Sequence, residues 1–455
     1  MATHARPAPT RIDLAPRPLP ALSGGPIDGR RYWCRDFMAR EWEAIWTRAW
    51  LIGGLASQVA RPGDFFTYDL ARENILVIRG EDGRVRAFYN VCPHRGKRLV
   101  MAEEGQARRL SCSYHGWRFT STGDLGFVPC PEDFAGGNPC GKLRLEEVKC
   151  EVFAGFVWVN LDPAAPQLAD HLGPVGPQLA LYRMEQMHRT HWVTLEGDWN
   201  WKCVQDNFNE SYHLPFVHPQ TRFVMEQSYR DCQFDLYAPH GHARMIMPGA
   251  RPSRALRGHV DTVLEMMRTE LVFWGLDPED FRDDPSAIRA ALQVAKRARG
   301  AEKGYDFSHF HDCQLTDHVH FTIFPNLSFS LKPDGCIWLR ADPHPSDPER
   351  CYFDMWYFTW FPEGVDRYYA YSMGQEVGRT LPAPHQRGKV GEFSCGPGID
   401  QDVAIWSEQQ KGLRSRGYRG GHLAGQEARV RFFHDTIDRW LEGQRLASAA
   451  ARPAR

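Results

Sequence analysis

Two short motifs constrain this chain more than any other feature: Cys92-Pro-His94-Arg-Gly and, after a gap of seventeen residues, Cys112-Ser-Tyr-His115-Gly-Trp. Each places one Cys and one His on what reads as a loop, so the fold has to bring two loops together. Two Cys with two His are a common tetrahedral set for structural zinc. The spacing argues against zinc. Paired zinc ligands are usually separated by two or more residues, and Cys-x-His is tight for two ligands on a single ion. The same spacing is comfortable when each loop sends its Cys to one iron and its His to a second.

The text around these motifs predicts their setting. From Trp50 to about Asp162 the chain consists of short β-rich runs, FFTYDL, NILVIRG, VRAFYNV and GFVWVNL, separated by Gly and charged turns, which predicts a compact all-β domain. Ahead of it, the first twenty-five residues are rich in Pro, Ala and Arg without a period, the signature of a loose tail or of an arm lying on a neighbour. After Pro163 the pattern loosens. A helix is expected over Trp199 to Tyr212, free of Gly and Pro until Pro215 ends it. Further helices are expected between Arg254 and Arg299, then antiparallel strands in HFTIFPNLSFSL, GCIWLRADPH and RCYFDMWYFTWF, and two closing helices, DVAIWSEQQKGL and EARVRFFHDTIDRWLEG. Strands with segregated helices indicate an α+β second domain. The expected divisions are 1–49 for an N-terminal arm and the start of the second domain, 50–162 for the β domain, 163–445 for the α+β domain and 446–455 for a tail. No GxGxxG opens a helix, so no nicotinamide-binding domain is expected in this chain.

At C-P-H-R-G and C-x-Y-H-G-W the sequence resembles Rieske proteins, in which two thiolates hold one iron and two neutral imidazoles hold the other. The resemblance implies a [2Fe-2S] cluster on Cys92, His94, Cys112 and His115. Exchanging two anionic thiolates for neutral imidazoles raises the potential to roughly −150 to +300 mV, against about −400 mV for plant-type ferredoxins. Such a cluster accepts electrons readily.

A second constellation decides between electron carrier and enzyme. Asn200-Trp-Lys is followed by Asp206-Asn-Phe-Asn-Glu210-Ser-Tyr-His213-Leu-Pro-Phe-Val-His218-Pro. On one continuous helix His213 and His218 would stand roughly 140° apart. They could not both face one ion, and Pro215 is expected to break the helix just after His213 and let the chain return. Two His and one carboxylate on one face of an iron leave positions open for dioxygen. The carboxylate expected is Asp402, in Asp402-Val-Ala-Ile-Trp-Ser-Glu-Gln-Gln410-Lys-Gly-Leu, with Asp400 as the alternative. The competing pairs His240/His242, His309/His311 and His318/His320 lack the surrounding Asn-Trp-Lys and Glu-x-Tyr-His pattern.

This second block resembles the Rieske non-heme iron oxygenases, the aromatic-ring-hydroxylating dioxygenase family, and the resemblance now spans most of the chain. It implies the α (catalytic) subunit, with an N-terminal Rieske domain, a helix-grip catalytic domain, mononuclear Fe(II) on His213, His218 and Asp402, and head-to-tail assembly as a homotrimer or a multiple of one, with or without a β subunit. It also implies that Glu210 bridges His213 to His115 of a neighbouring subunit and passes electrons between them. Electrons would come from NADH through a separate flavin reductase, with or without a ferredoxin. One departure stands out: where many members place a Glu five residues after the Asp, this chain has Ser407, and Glu408 follows one later.

Composition narrows the partners. Lys plus Arg (55) nearly cancels Asp plus Glu (56), so no broad field favours nucleic acid or an anionic membrane. No stretch reaches the ~18 uninterrupted apolar residues of a membrane span, and the N-terminus lacks the apolar core of a secretory signal, so the expected location is the cytoplasm. The expected substrate is a small hydrophobic molecule, first an aromatic ring or other carbocycle to be hydroxylated together with O2. The alternative is a monooxygenase acting beside nitrogen or oxygen, as in demethylation or quaternary-ammonium cleavage. From a different class, a non-catalytic Rieske electron carrier would have no use for the second triad.

Overall fold

The computed structural model describes residues 13–370, 375–379 and 383–443. The chain divides into two compact units, one built on Met38–His171, the other on Leu172–Asp342 and Pro348–Arg439 with the N-terminal segment up to Phe37.

In the smaller unit, strands β1 (Leu51–Leu55), β2 (Asp64–Leu70), β3 (Glu73–Arg79), β4 (Val85–Tyr89), β5 (Glu104–Gln106), β9 (Glu147–Phe153) and β10 (Phe156–Asn160) form a seven-stranded sheet in the order β1-β10-β9-β4-β3-β2-β5. β6 (Leu110–Ser111), β7 (Arg118–Phe119) and β8 (Leu125–Phe127) make a separate three-stranded sheet. The expected β-rich runs fall on β2, β3, β4 and β10. Ile75, Leu76, Val77 and Ile78 of β3 are all buried. A strand enclosed on both faces reads as a continuous apolar run, not an alternating one. Leu76, Ile78 and Phe88 belong to a core cluster that also takes in Cys92, Cys112 and Trp117. The apolar core of this unit therefore reaches into both Cys-His loops.

The larger unit is built on an eight-stranded sheet. Its strands are β11 (His188–Gly197), β12 (Gln233–Tyr237), β13 (His242–Met247), β14 (His318–Ile323), β15 (Leu327–Lys332), β16 (Gly335–Pro343), β17 (Cys351–Thr359) and, beyond a ribbon of β18 (Arg367–Ala370) and β19 (Gln375–Gly378), β20 (Gln386–Lys389). The order is β12-β13-β14-β15-β16-β17-β11-β20. β11 pairs antiparallel with β17 and parallel with β20. With helices at Trp201–Phe208, Val260–Phe273, Ile288–Arg299, Pro397–Leu413 and Ala428–Leu441, this unit has the α+β class expected. None of the helices among the described residues is long and apolar enough to cross a membrane.

Two helices carry the chemistry-bearing segments, and the sequence explains how they are fixed. Asn200 caps the Trp201–Phe208 helix by accepting from the Lys202 amide at 2.9 Å. Gln410, in the Pro397–Leu413 helix, accepts from the Asn200 amide at 2.9 Å and donates to the Tyr32 carbonyl at 3.3 Å. Trp406 of the same helix packs edge-on against Trp199, Phe208 and Phe353, with ring centroids 5.3, 5.9 and 5.1 Å away. The Asp…Gln-x-Gly-Leu block thus clamps one helix onto the start of the other.

Three expectations change. The expected helix over Trp199 to Tyr212 is shorter, ending at Phe208. Asn209 stops it: its side-chain nitrogen donates to the Gln205 carbonyl at 2.9 Å and its oxygen accepts from Thr322 at 2.8 Å, a local bond that competes with helical continuation. The helix expected from Asp402 begins earlier, at Pro397, where a proline lacking an N–H fits the first helical position. The described part of the N-terminal segment is not a loose tail. The Arg17 amide donates to Asp235 at 3.0 Å and the Ser23 amide to Asp435 at 2.9 Å, so it lies along β12 and the Ala428–Leu441 helix of its own chain. Residues 1–12 of that segment and the tail at 446–455 lie outside the described residues.

Candidate metal sites

The two loops of the smaller unit are built alike. The Cys92 amide donates to the Lys97 carbonyl at 2.8 Å and the Gly96 amide to the Cys92 carbonyl at 3.0 Å; the Cys112 amide donates to Trp117 at 2.8 Å and the Gly116 amide to Cys112 at 3.0 Å. Gly96 and Gly116 carry φ of +70° and +71°, a backbone region that costs glycine nothing. Both Cys side chains point into the core, 1 % and 2 % exposed, while His94 and His115 are half-buried. The thiols of Cys92 and Cys112 lie against each other. The two imidazoles meet edge-on with centroids 4.5 Å apart, and His94 stacks on Trp117 at 4.7 Å.

This donor set fits a cluster with thiolates on the inner side and imidazoles on the outer. Nδ1 of His115 is buried with no hydrogen-bond partner, an arrangement that a metal bond satisfies. Burial, with the charges of His94 and Arg95, holds the His115 ring below its ordinary pKa, a shift toward the neutral form that binds metal. Burial pushes the Cys92 thiol up and Cys112 adds to that, a cost that metal coordination reverses because the thiolate is the ligand. Cys130 is exposed, and Cys140 and Cys150 are only partly buried. Neither motif includes them.

In the larger unit, His213, His218 and Asp402 each offer one donor atom, and the three atoms lie within 4.8 Å of one another. Nε2 of His218 stands 2.9 Å and Nε2 of His213 3.6 Å from the same oxygen, Oδ1 of Asp402. The way the two His converge differs from the expected break after His213. The chain has already left the helix at Asn209. His213 then caps the start of a four-residue helix, Leu214–Val217, and His218 caps its end. Pro215 sits inside the first turn of that helix, where its missing N–H costs nothing. One helical turn therefore separates the rings, whose centroids are 5.2 Å apart at 74°.

Both rings are oriented from behind. Oε1 of Glu210 lies 2.5 Å from Nδ1 of His213, and Oε1 of Gln401 lies 2.7 Å from Nδ1 of His218. When each Nδ1 carries the proton, each Nε2 presents a lone pair toward Asp402. Asn207 donates to Asp402 at 3.0 Å, and Gln220 donates to Gln401 at 2.7 Å. The shells around the ligands, Asn207, Gln220 and Gln401, are residues that motif reading missed; the polar run Asp206-Asn207-Phe208-Asn209 at a helix end and a Gln beside the Asp are the signals that mark them. Burial draws the His218 ring down, but the hydrogen bond and charge of Asp402 outweigh it and leave its pKa raised. A cation placed there meets the same attraction. The three donors fit a single ion of the kind that takes two imidazoles and a carboxylate.

The alternatives weighed from sequence are placed elsewhere. Asp400 accepts from the Cys395 amide at 2.8 Å and from Ser394 at 2.5 Å. His242 accepts from the Phe324 amide, Nε2 of His309 faces the Leu181 carbonyl, and His320 bonds Arg429. Glu408, one place after the expected acidic position, pairs with Lys411 in solvent.

Comparison with known proteins gives the family. Residues 184–443 match the family model "Ring hydroxylating alpha subunit (catalytic domain)", and residues 49–148 match the "Rieske [2Fe-2S] domain". The chain belongs to the ring hydroxylating alpha subunit family and carries a Rieske [2Fe-2S] domain ahead of its catalytic domain. It is similar to the carnitine monooxygenase oxygenase subunit of Escherichia coli (strain K12), with 33 % identity over 195 residues, 42 % of this chain and 52 % of that protein. It is also similar to the large oxygenase component of the naphthalene 1,2-dioxygenase system of Pseudomonas aeruginosa, with 36 % identity over 192 residues, 40 % of this chain and 42 % of that protein. These matches span about half the length of those curated relatives or less. A longer match, to the chlorobenzene dioxygenase subunit alpha of Cupriavidus sp. (strain PS12), has 27 % identity over 436 residues and covers 92 % of this chain and 87 % of that protein. Among solved structures, a quaternary ammonium Rieske monooxygenase bound to an inhibitor superposes with a TM-score of 0.66 at 20 % identity, covering 91 % of this chain and 95 % of that one. Naphthalene 1,2-dioxygenase with indole bound gives 0.63 at 20 %, covering 94 % of each. The shared property of these structures is the fold.

Proposed function

We propose that this chain is the catalytic component of a Rieske non-heme iron oxygenase. The observation that carries the reading is the convergence of His213, His218 and Asp402 in a domain whose family also supplies a Rieske module. Cys92, His94, Cys112 and His115 are the cluster ligands, and His213, His218 and Asp402 hold the mononuclear iron. The iron, when bound, supplies a place where dioxygen is activated beside the substrate with electrons drawn from the cluster. The protein's own part is to hold both imidazoles in the tautomer that leaves Nε2 free, through Glu210 and Gln401, and to keep Asp402 aimed, through Asn207.

Glu210 is assigned a second task. A carboxylate accepts from two partners at once, and in this reading it links His213 to His115 of a neighbouring subunit in a head-to-tail homotrimer. NADH supplies the electrons through a separate flavin reductase, with or without a ferredoxin. Hydroxylation of an aromatic or other hydrophobic ring is the first reading of the reaction. The alignment with carnitine monooxygenase favours a second, monooxygenation beside nitrogen or oxygen. Dioxygenation of a ring places both oxygen atoms in the product as hydroxyls and takes up two electrons and two protons; monooxygenation places one there and reduces the other to water with the same two electrons and two protons. Feeding substrate panels and isotopically labelled dioxygen to the purified protein with a surrogate reductase separates them by counting label in the product. Absence of any oxygenated product, with a cluster that still shuttles electrons, returns the chain to the class of carriers.

A further inference from the structure

A cavity of about 370 Å3 in the larger unit is lined by one side of the Val260–Phe273 helix, by β14, β15, β16 and β17, and by the segment around Val224. That size is at the low end of the ~300–1,000 Å3 typical of small-molecule sites. Most of its wall is apolar, with Met267, Ile337 and Tyr357 among the lining residues. Charged side chains also face it, namely Lys332, Glu270 and Asp334, together with His318.

Strand register links this cavity to the mononuclear site. Leu214, the neighbour of His213, packs with Met225, Met245 and Met247. Met247 stands opposite His318 and Met245 opposite His320 across the β13–β14 pair, and directly opposed residues lie on the same face of a sheet. On β15, Ser328, Ser330 and Lys332 alternate onto one face. Ser328 bonds Gln205 of the Trp201–Phe208 helix at 3.2 Å, while Ser330 and Lys332 reach the cavity. The helix that leads to the iron ligands thus covers one end of this face, and the cavity lies at the other.

The charges in the cavity are unequally matched. Glu270 accepts from Lys296 at 2.7 Å, and Lys296 also donates to the Leu315 carbonyl at 2.7 Å. Asp334 acts on the Lys296 cation as well. The Lys332 side chain, by contrast, has no hydrogen bond or ion pair among the described residues and acts on Glu270 and His318 through space. Burial and the Lys332 charge hold the His318 ring near a pKa of about 3, so it is a neutral imidazole able to donate one hydrogen bond. An ammonium beside a neutral donor, at the end of an apolar chamber, is matched by an anionic oxygen pair on an apolar body.

We infer that this cavity is the substrate pocket and that Lys332, with His318, receives a carboxylate, so that the substrate is a compact apolar molecule bearing one carboxylate group. The inference rests on the oxygenase reading and narrows it. Benzoate, phenylacetate and cyclohexanecarboxylate, each beside its uncharged amide, are titrated calorimetrically into the purified full-length holoprotein and its Lys332→Met and Lys332→Arg variants. The expected result is that at least one carboxylate binds tenfold or more tighter than its amide, that Lys332→Met erases the preference in a variant that still folds and keeps its cluster spectrum, and that Lys332→Arg keeps most of it. Equal binding of every acid and its amide, or an undiminished preference in a folded Lys332→Met variant, overturns the inference. Cluster reoxidation by dioxygen, measured in parallel, separates the two readings. Carboxylate-selective binding without reoxidation retains the pocket and removes the oxygenase; reoxidation stimulated by neutral aromatics but by no carboxylate retains the oxygenase and removes the pocket.

Discussion

Oε1 of Glu210 lies 2.5 Å from Nδ1 of His213, and the other oxygen of the same carboxylate accepts from the His213 amide at 3.1 Å and from the Tyr212 amide. One side chain thus sets both the ring orientation of a candidate iron ligand and the backbone turn that presents it. Glu210→Gln preserves the size but removes the charge and one acceptor. Groups that orient a metal-bound imidazole are each worth about 10–100-fold in affinity or activity. We expect Glu210→Gln to bind both metals yet to reoxidise its reduced cluster at least about tenfold more slowly with substrate and dioxygen present. A surface glutamate with no such task leaves the rapid-mixing rate unchanged.

Asp402 and Asp400 sit two residues apart and do different things. Asp402→Ala is expected to lose mononuclear iron and product while retaining the Rieske absorption. Asp400 instead ties the start of its helix to Ser394 and Cys395. Asp400→Ala should keep its iron and lose about 1 kcal/mol of stability, the ordinary worth of a hydrogen bond. Metal analysis and melting curves on the two variants check this, and iron loss in the Asp400 variant would move the ligand.

The amides behind the ligands make a finer test. Gln401→Ala leaves Nδ1 of His218 without its acceptor, and Asn207→Ala releases Asp402. Each should weaken mononuclear iron binding by about 10–100-fold without touching the cluster, as read by iron retention during dialysis against a chelator. Full retention in both variants would assign these amides to packing alone.

Why were the candidate ligands legible and their support not? The Cys-x-His and Cys-x2-His spacings report metal chemistry directly, because few other demands place those residue types so close. His213 and His218 were legible from their neighbours. The path between them was not: Pro215 reads as a helix breaker, whereas the break comes earlier, at Asn209, through bonds to Gln205 and to Thr322 on a distant strand. That second bond depends on tertiary contact, which no local pattern encodes. The same holds for Gln401, whose role exists only because the Pro397–Leu413 helix is clamped against His218. The arm at residues 13–25 has no period of its own, and its place is set by Asp235 and Asp435.

The cluster assignment is tested by cysteines. Cys92→Ser and Cys112→Ser should abolish acid-labile sulfide and the Rieske spectrum. Cys150 sits in β9, where burial pushes its thiol up to about 12, so it is inert at neutral pH. Cys150→Ser and Cys130→Ser should leave the spectrum intact. Zinc without sulfide in the native protein would remove the cluster reading altogether.

The Glu270–Lys296 pair beside the cavity gives a pH signature. Burial raises the Glu270 carboxyl, but Lys296 and Lys332 outweigh it and hold its pKa below the ordinary value. Burial lowers the Lys296 ammonium, and Glu270 with Asp334 outweighs that and holds it raised. A depressed carboxyl contributes stability above its unfolded pKa, about 4.3, and loses it as pH falls through the folded value; a raised ammonium contributes below about 10.4 and loses it as pH rises. The pair therefore stabilises across the neutral range. Lys296→Met leaves a buried carboxylate without its contact partner, a change that typically costs about 3–5 kcal/mol. Burial then dominates and raises the Glu270 pKa above its unfolded value, so the variant should regain stability as pH falls from 8 toward 5. The second change Glu270→Gln, made in that background, should remove most of this pH dependence. Melting temperatures of wild type, single and double variants at pH 5 and pH 8 decide it. A Lys296→Met deficit of equal size at both pH values would mean that Glu270 does not take up the proton.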